Sequence, residues 1–498
     1  MPRRSFVGLW AMAFAATGAF VSGPRPAAVS DPVTFAEDVA PIVFKRCTSC
    51  HRPGEAAPFA LETYQDVKSR GRLIAAVTES RRMPPWKADV GDYAFKGERR
   101  LTDAEIVTIQ RWVAGGMPEG DPTKLPPLPA FPKGWQLGAP DLVVKMDRPF
   151  PVPAYGPDIY RNFVLPLNLT EDTWVKAVDF HPSARAVVHH TLFLLDTTGT
   201  SRTLDSRDSL PGYGGAMGVG NLADLAGGRN GLAMLLGNGG LGAARGRGQR
   251  GGSRVDFDLL GRTIGGLGGW ALGAQAHALP DGLAFFLPKG ADLILSTHFH
   301  PSGKPENEAS TVGLYFSSNP PTSRFMGILL PPLFGVFEGI DIPVGDSHYT
   351  ISDSFVLPVD VKAFGVGAHA HYISKTMKLT ATLPDGVEKT LLGIGDWDFA
   401  WQDQYQFEQF ALLPKGTRLE GTISYDNSAD NPRNPSHPPK RVWWGEQSTD
   451  EMGAMSLQVV AANNADMPAL QQAYRQHLTQ ALMTRPGLRL FIQRLQSR

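Results

Sequence analysis

The chain has 498 residues, enough for about three domains of ordinary size, each with a core of its own. Its 48 basic residues balance 48 acidic ones, which leaves no basic excess for neutralising phosphates and argues against nucleic acid as a partner. Hydrophobic content of 42% with 19% charged residues excludes wholesale disorder, and two cysteines exclude a disulfide framework.

Arg3 and Arg4 precede the apolar run Phe6 to Val21, and small residues and prolines follow to about Ser30. That order is the one of a secretory signal, so residues 1–30 read as a signal peptide cleaved between Ser22 and Ser30, with a retained anchor as the alternative. The mature chain is then expected in the periplasm or secreted, with no stable membrane span. Residues 31–120 read as helical. Thr34-Phe-Ala-Glu37 looks like a capping box leading into Val39, Ile42, Val43 and Phe44, and Thr102-Asp-Ala-Glu105 opens a second helix that stops at Gly115-Gly116. Residues 121–137, with five prolines between Pro122 and Pro132, predict a semi-rigid linker.

From about Trp135 short Val-, Leu-, Phe- and Thr-rich runs alternate with Gly, Pro and Asp turns, the pattern of a large antiparallel β region. Between Pro211 and Trp270, 21 of 60 residues are glycine, which disfavours regular elements and predicts a long insertion, about 211–254. Helix returns from Asp466, with Leu470, Tyr474, Leu478 and Leu482 along one face. The basic end of this tail (Arg485, Arg489, Arg494, Arg498) predicts a solvated face.

Two groups of residues carry chemistry. Cys47-Thr-Ser-Cys50-His51 is the c-type haem attachment pattern, in which two thiols add to the vinyl groups and the adjacent histidine ligates iron. Met83, presented by the two prolines that follow it, is the preferred sixth ligand, and Met117 is the other methionine within reach. The segment resembles a class I cytochrome c. The second group is a set of histidine pairs inside predicted strands. His369-Ala-His371 and His298-Phe-His300 have the spacing that puts two imidazoles on one face. His189-His190 does not, and shared ligation there requires a twist, a bulge or a strand end.

Together these pairs, with a late methionine, resemble the copper type II, ascorbate-dependent monooxygenases, the family of dopamine β-monooxygenase and peptidylglycine α-hydroxylating monooxygenase. The likeness rests on Ala186-Val-Val-His-His-Thr-Leu-Phe-Leu-Leu, Trp270-Ala-Leu-Gly-Ala, Ser296-Thr-His-Phe-His-Pro, Gly367-Ala-His-Ala-His and Ser448-Thr-Asp-Glu-Met452, and covers about 138–462. It implies two all-β jelly-roll lobes, 138–325 and 326–462, after a small all-α cytochrome c domain and before the helical tail 463–498. It also implies two coppers beside one covalent haem c. One copper would sit on His189, His190 and His298, with His300 as the alternative third ligand. The other would sit on His369, His371 and Met452, where oxygen binds. One soft thioether among imidazoles favours Cu(I), the state that meets oxygen.

The family's peptide-amidating member holds a carboxylate with residues replaced here by Gly367, Ala454 and Ser456, so peptide amidation is not expected. The implied activity is hydroxylation of a C–H bond of a small organic substrate with O2, electrons coming through the haem from ascorbate or a redox protein. The rival is a non-catalytic periplasmic electron-transfer or copper-handling protein on the same scaffold.

Overall fold

The structure is a computed structural model and describes residues 32–55, 57–132, 134–215, 267–271, 274–445, 447–487 and 490. The expected signal peptide, nearly all of the glycine-rich insertion and Arg489, Arg494 and Arg498 lie outside the described residues. Most of the regular structure in the described chain is antiparallel sheet, followed by one C-terminal helix. No helix among the described residues is long and apolar enough to cross a membrane.

Before the first strand the chain packs short helices, Ala40–Arg46, Tyr64–Ser69, Gly71–Glu79 and Asp103–Ala114, around Phe35, Val39, Val43, Ile109 and Trp112. Thr102 and Glu105 form the expected capping box, each satisfying the other's backbone N–H. The expected box at Thr34 is absent. The chain enters through a π turn, Phe35–Val39, which moves the acceptor one residue on, and Asp38 rather than Glu37 receives the Thr34 N–H at 2.7 Å. After Met83 the chain leaves this helical core, and Ala88 and Phe95 join the buried cluster of the last β region. Phe95 bridges Phe407, and Trp86 meets Tyr405 edge-on at 5.1 Å.

The first β region has a four-stranded and a five-stranded sheet that share one core. Val175, Leu287, Val312 and Leu314 come from the first, and Phe163, Phe193, Leu293, Leu295 and Phe299 from the second. In the strand Asp292–Phe299 every residue is buried, as a central strand covered on both faces requires. The second region repeats the plan with two four-stranded sheets. One contains Val361–Ala370 beside Gly453–Ala461, the other Ser374–Thr382 beside Arg418–Tyr425. The helix Met467–Thr484 closes it by burying Met467, Leu470 and Ala481. Arg485 is not on a solvated face as expected. It pairs with Glu338 and Asp353, because a remote 3-10 segment, Pro332–Glu338, and a remote strand, Tyr349–Val356, supply acids that helical periodicity cannot reveal.

Candidate metal centre

The first histidine set is built by one irregularity. The strand Val188–Asp196 runs against Asp292–Phe299 with His190 opposite His298, and the register slips between Val188 and His190. His189 is the extra residue of that bulge. A bulge re-aims a side chain that regular pleating would send to the other face. As a result the Nδ1 atoms of His189 and His190 lie 3.0 Å apart, and ligand nitrogens of His189, His190 and His298 all fall within 4.8 Å of one another.

His298 is 1% exposed, and neither of its ring nitrogens makes a hydrogen bond. Its Nε2 lies 3.0 Å from Asp158 Oδ2, but the ring N–H direction misses the carboxylate, so the contact is an ion-pair distance without hydrogen-bond geometry. Tyr160 stacks flat on the ring at 4.4 Å. His300 stands apart. Its side chain is 60% exposed and its Nδ1 pairs with Asp158 Oδ1 at 2.7 Å, so the two histidines of His-Phe-His do not share a burial environment. The structure therefore brings His298, not His300, to the set.

The second set lies at the ends of the two central strands of the neighbouring region. His369 pairs with Ala454 and Ala370 with Gly453, and the same register continued by one step sets His371 against Met452, itself 5% exposed. His369 Nδ1 donates to Gln402 Oε1 at 2.6 Å, and the Gln402 amide is oriented by its own N–H bond to the Phe399 carbonyl. His371 Nδ1 donates to the Asp450 carbonyl at 3.1 Å. Each ring thus presents an unprotonated Nε2, the arrangement by which outer groups fix a ligating histidine. Glu451, fully buried, accepts the backbone N–H groups of His371, Ile373 and Met452 and ties the two segments of the set together.

Burial sets the charge state. It lowers His189 to about 3 and His369 to about 4, takes His190 and His371 well below the ordinary value and lowers His298 as well. All five imidazoles are neutral at pH 7, the form that binds a metal ion.

The two sets adjoin. The rings of His190 and His369 are 6.1 Å apart. Phe399 fills the space beside them, at 4.7 Å from His189, 5.8 Å from His298 and 5.6 Å from His371. Asp158 joins the regions again by accepting from Ser448 Oγ while it faces His298 and His300. Burial works to raise the Asp158 carboxyl, but its partners outweigh that and hold it well below the carboxylate range.

The Cys47–His51 motif follows the helix Ala40–Arg46 as a tight turn, with the Cys50 and His51 N–H groups on the Cys47 carbonyl. Both thiols are free, and burial pushes Cys47 up to about 12. His51 Nδ1 donates to the Phe59 carbonyl at 3.1 Å, leaving Nε2 unprotonated. Two free thiols and one oriented imidazole on a single turn fit a covalently attached haem. Met83 is half-buried where the chain leaves the helical core, whereas the Met117 sulfur lies over Gly71 and Met117 packs against the helical core. Glu55, just after the motif, pairs with Arg52 and with Arg185 of the first β region, beside a cavity of about 520 Å³.

Sequence reading missed Asp158, Gln402 and Phe399, and Trp397, whose Nε1 donates to the His371 carbonyl. None carries a local pattern; each acquires its role only through a tertiary contact. Glu451 stood inside the Ser448–Met452 run, where its place between a ligand candidate and Asp450 was the available signal.

No protein-family model and no curated protein matches the chain. Among solved structures, the VP2 subviral particle of infectious bursal disease virus aligns at 9% identity, over 68% of this chain and 77% of that one, with a TM-score of 0.18. PNGF-II aligns at 10% identity, over 64% and 65%, with a TM-score of 0.23. Scores this low bear on neither fold nor function.

Proposed function

We propose that the chain is an exported two-copper monooxygenase that hydroxylates a C–H bond of a small organic substrate with O2, its electrons relayed by a covalent c-type haem. In this reading the helical unit is a cytochrome c domain and the two β regions are jelly-roll lobes. The observation that carries the proposal is the convergence of five neutral histidines from both β regions, with Met452 one residue beyond the strand that pairs with the His369 segment. His189, His190 and His298 would hold one copper, and His369, His371 and Met452 the other. Cys47, Cys50 and His51 would hold the haem, with Met83 as its sixth ligand. Bound there, the metals would supply single-electron equivalents toward oxygen.

The protein's own part is positioning. Gln402 and the Asp450 carbonyl orient the imidazoles of the second set, Glu451 fixes the backbone that carries them, and Phe399 and Tyr160 keep water from the rings. The Glu55–Arg185 pair seats the Cys47–His51 turn against the segment that leads into His189. The ring of Phe399, which occupies the space beside both sets, favours the second reading, a redox or copper-handling protein that admits no substrate there.

Purified exported protein should contain two coppers and one iron per chain, with the haem retained on a denaturing gel. His369→Ala should leave about one copper, and Cys50→Ser should abolish two-thioether attachment. Reductant-dependent O2 uptake that rises with small aliphatic or benzylic compounds and yields alcohol supports the monooxygenase. Full metal loading with no substrate-dependent uptake supports the redox protein. Absence of copper refutes both.

A further inference from the structure

The loop 395–403 carries three groups that hold the histidines. Trp397 Nε1 donates to the His371 carbonyl at 3.0 Å, Gln402 accepts from His369, and Phe399 packs against His189 and His371. A connecting loop of this kind has few backbone bonds of its own and would ordinarily wander by more than a ligand set tolerates. Its outer side, however, is clamped by the stretch of chain that has just left the helical unit.

Asp89 N–H bonds the Gly393 carbonyl at 2.7 Å as the loop begins, and Lys96 N–H bonds the Gln406 carbonyl at 2.8 Å after it ends. Between these, Lys87 Nζ reaches Asp396 Oδ2 at 2.9 Å and Asp398 Oδ2 at 3.8 Å. Arg99 Nη2 reaches Asp403 Oδ2 at 2.6 Å, one residue from Gln402. The same nitrogen reaches the Pro85 carbonyl at 3.2 Å, and the guanidinium sits 5.4 Å from the Trp86 ring, so the cation is held from its own side as well. The Lys87 and Arg99 side chains are only 12% and 18% exposed. Asp403 and Asp398 are 22% and 25% exposed, so their pairs with Arg99 and Lys87 are partly desolvated, whereas Asp396 at 67% makes the other Lys87 pair a rim contact, which contributes little.

We propose that Lys87 and Arg99 are positioning residues for the second histidine set, acting through Asp396, Asp398 and Asp403 on the loop that presents Trp397, Phe399 and Gln402. This rests on the reading of His369, His371 and Met452 as a copper site. The brace begins just beyond Met83, so the chain that would complete the haem site also fixes the loop over the histidines. The stretch 84–99 then does more than connect two helices of the helical unit; it braces the loop that packs against the histidines.

The test uses the full chain loaded with cupric ion, read by chelator-competition titration and by electron paramagnetic resonance, with thermal denaturation alongside. Arg99→Ala with Lys87→Ala should weaken one copper about 10- to 100-fold, as loss of an outer group typically does. That copper's resonance should shift while the other keeps its parameters. Gln402→Leu should reproduce the same spectral change, and Arg99→Lys should restore part of the affinity. Should the double variant fold poorly, Asp403→Asn removes a single ion pair and should move the same resonance in the same direction.

Two unchanged coppers in variants that lose only thermal stability would overturn the inference and leave the copper reading standing. Wild-type protein that takes up no copper would overturn both.

Discussion

Glu451 offers a sharp test of how the second histidine set is held. Its side chain has no exposure, and its two oxygens accept three named backbone N–H groups, from Ile373 at 2.8 Å, His371 at 3.0 Å and Met452 at 3.2 Å. Truncation to alanine leaves those donors buried without partners, at about 1–3 kcal/mol each. Water entering the vacated space repairs some of them, so a total of roughly 3–5 kcal/mol is expected rather than the full sum. For a domain of this size that is a fall of roughly 10 °C in the second region's melting midpoint.

Glu451→Gln separates two states of the group. Burial pushes the carboxyl up to about 8, against the pull of the backbone N–H groups it accepts. An ionised, acceptor-only carboxylate cannot be replaced by an amide, whose NH2 would face an N–H donor. A neutral acid can. The donors on both oxygens pull toward the anion and burial toward the neutral acid, so Glu451→Gln losing most of what Glu451→Ala loses marks the anion, and Glu451→Gln melting near wild type marks the neutral acid. Thermal scans followed by circular dichroism on metal-free protein measure both. An alanine variant melting within about 3 °C of wild type would refute the account of the carboxylate as the tie between the two segments.

Three further outcomes follow from the same contacts. Phe399→Ala, at a ring 4% exposed, should cost about 3–5 kcal/mol if the ring is packed as a core residue is, seen as a lowered midpoint in denaturant. Trp397→Phe keeps an aromatic ring but removes the N–H given to the His371 carbonyl and part of a fully buried indole; a loss of more than about 1–2 kcal/mol, the lost bond plus the space left behind, and an altered cupric resonance are expected. Asp396 is held at about 2 by Arg433 first and by Lys87, below its ordinary 3.8. A depressed carboxyl contributes stability above its unfolded value and loses it as pH falls, here between about pH 4 and 2. Asp396→Asn should therefore flatten that acid limb, most visibly at low salt, since the group is exposed.

How much of this the amino-acid sequence reveals depends on the range of the interaction. The capping box at Thr102 is local and is present as read. The bulge at His189 was foreseeable because adjacent strand residues cannot otherwise converge, and the register shift lies there. The box at Thr34 failed because a π turn moves the acceptor by one residue, a change that spacing does not encode. Arg485 was read as solvated because its acids, Glu338 and Asp353, are far away in the chain. The stretch 84–99 sat inside a region read as helical throughout. Its aromatic residues find their partners, Tyr405 and Phe407, some 300 positions later, beyond any local pattern.

The proximity of the two histidine sets is itself a product of contacts between separate parts of the chain. Each set belongs to a pair of interior strands of its own sheet, since His190 and His298 face each other within one and His369 lies opposite Ala454 in the other. Nothing in either sheet fixes the distance between them. That distance is set by the contact between the regions, Leu283 with Phe364 and Val460 and Phe285 with Phe325, and beside the histidines by Phe399 against His189, Asp158 shared by His298, His300 and Ser448, and the braced loop that carries Gln402. Asp158 has a particular role among them, because its charge is kept by partners from both β regions. Removing it would leave His298 without its facing anion and Ser448 without its acceptor at once. Separation of the sets and orientation of their rings are thus coupled. A change to any one of these bridging groups should be felt in both sets, whereas a change within one ladder should be felt in one.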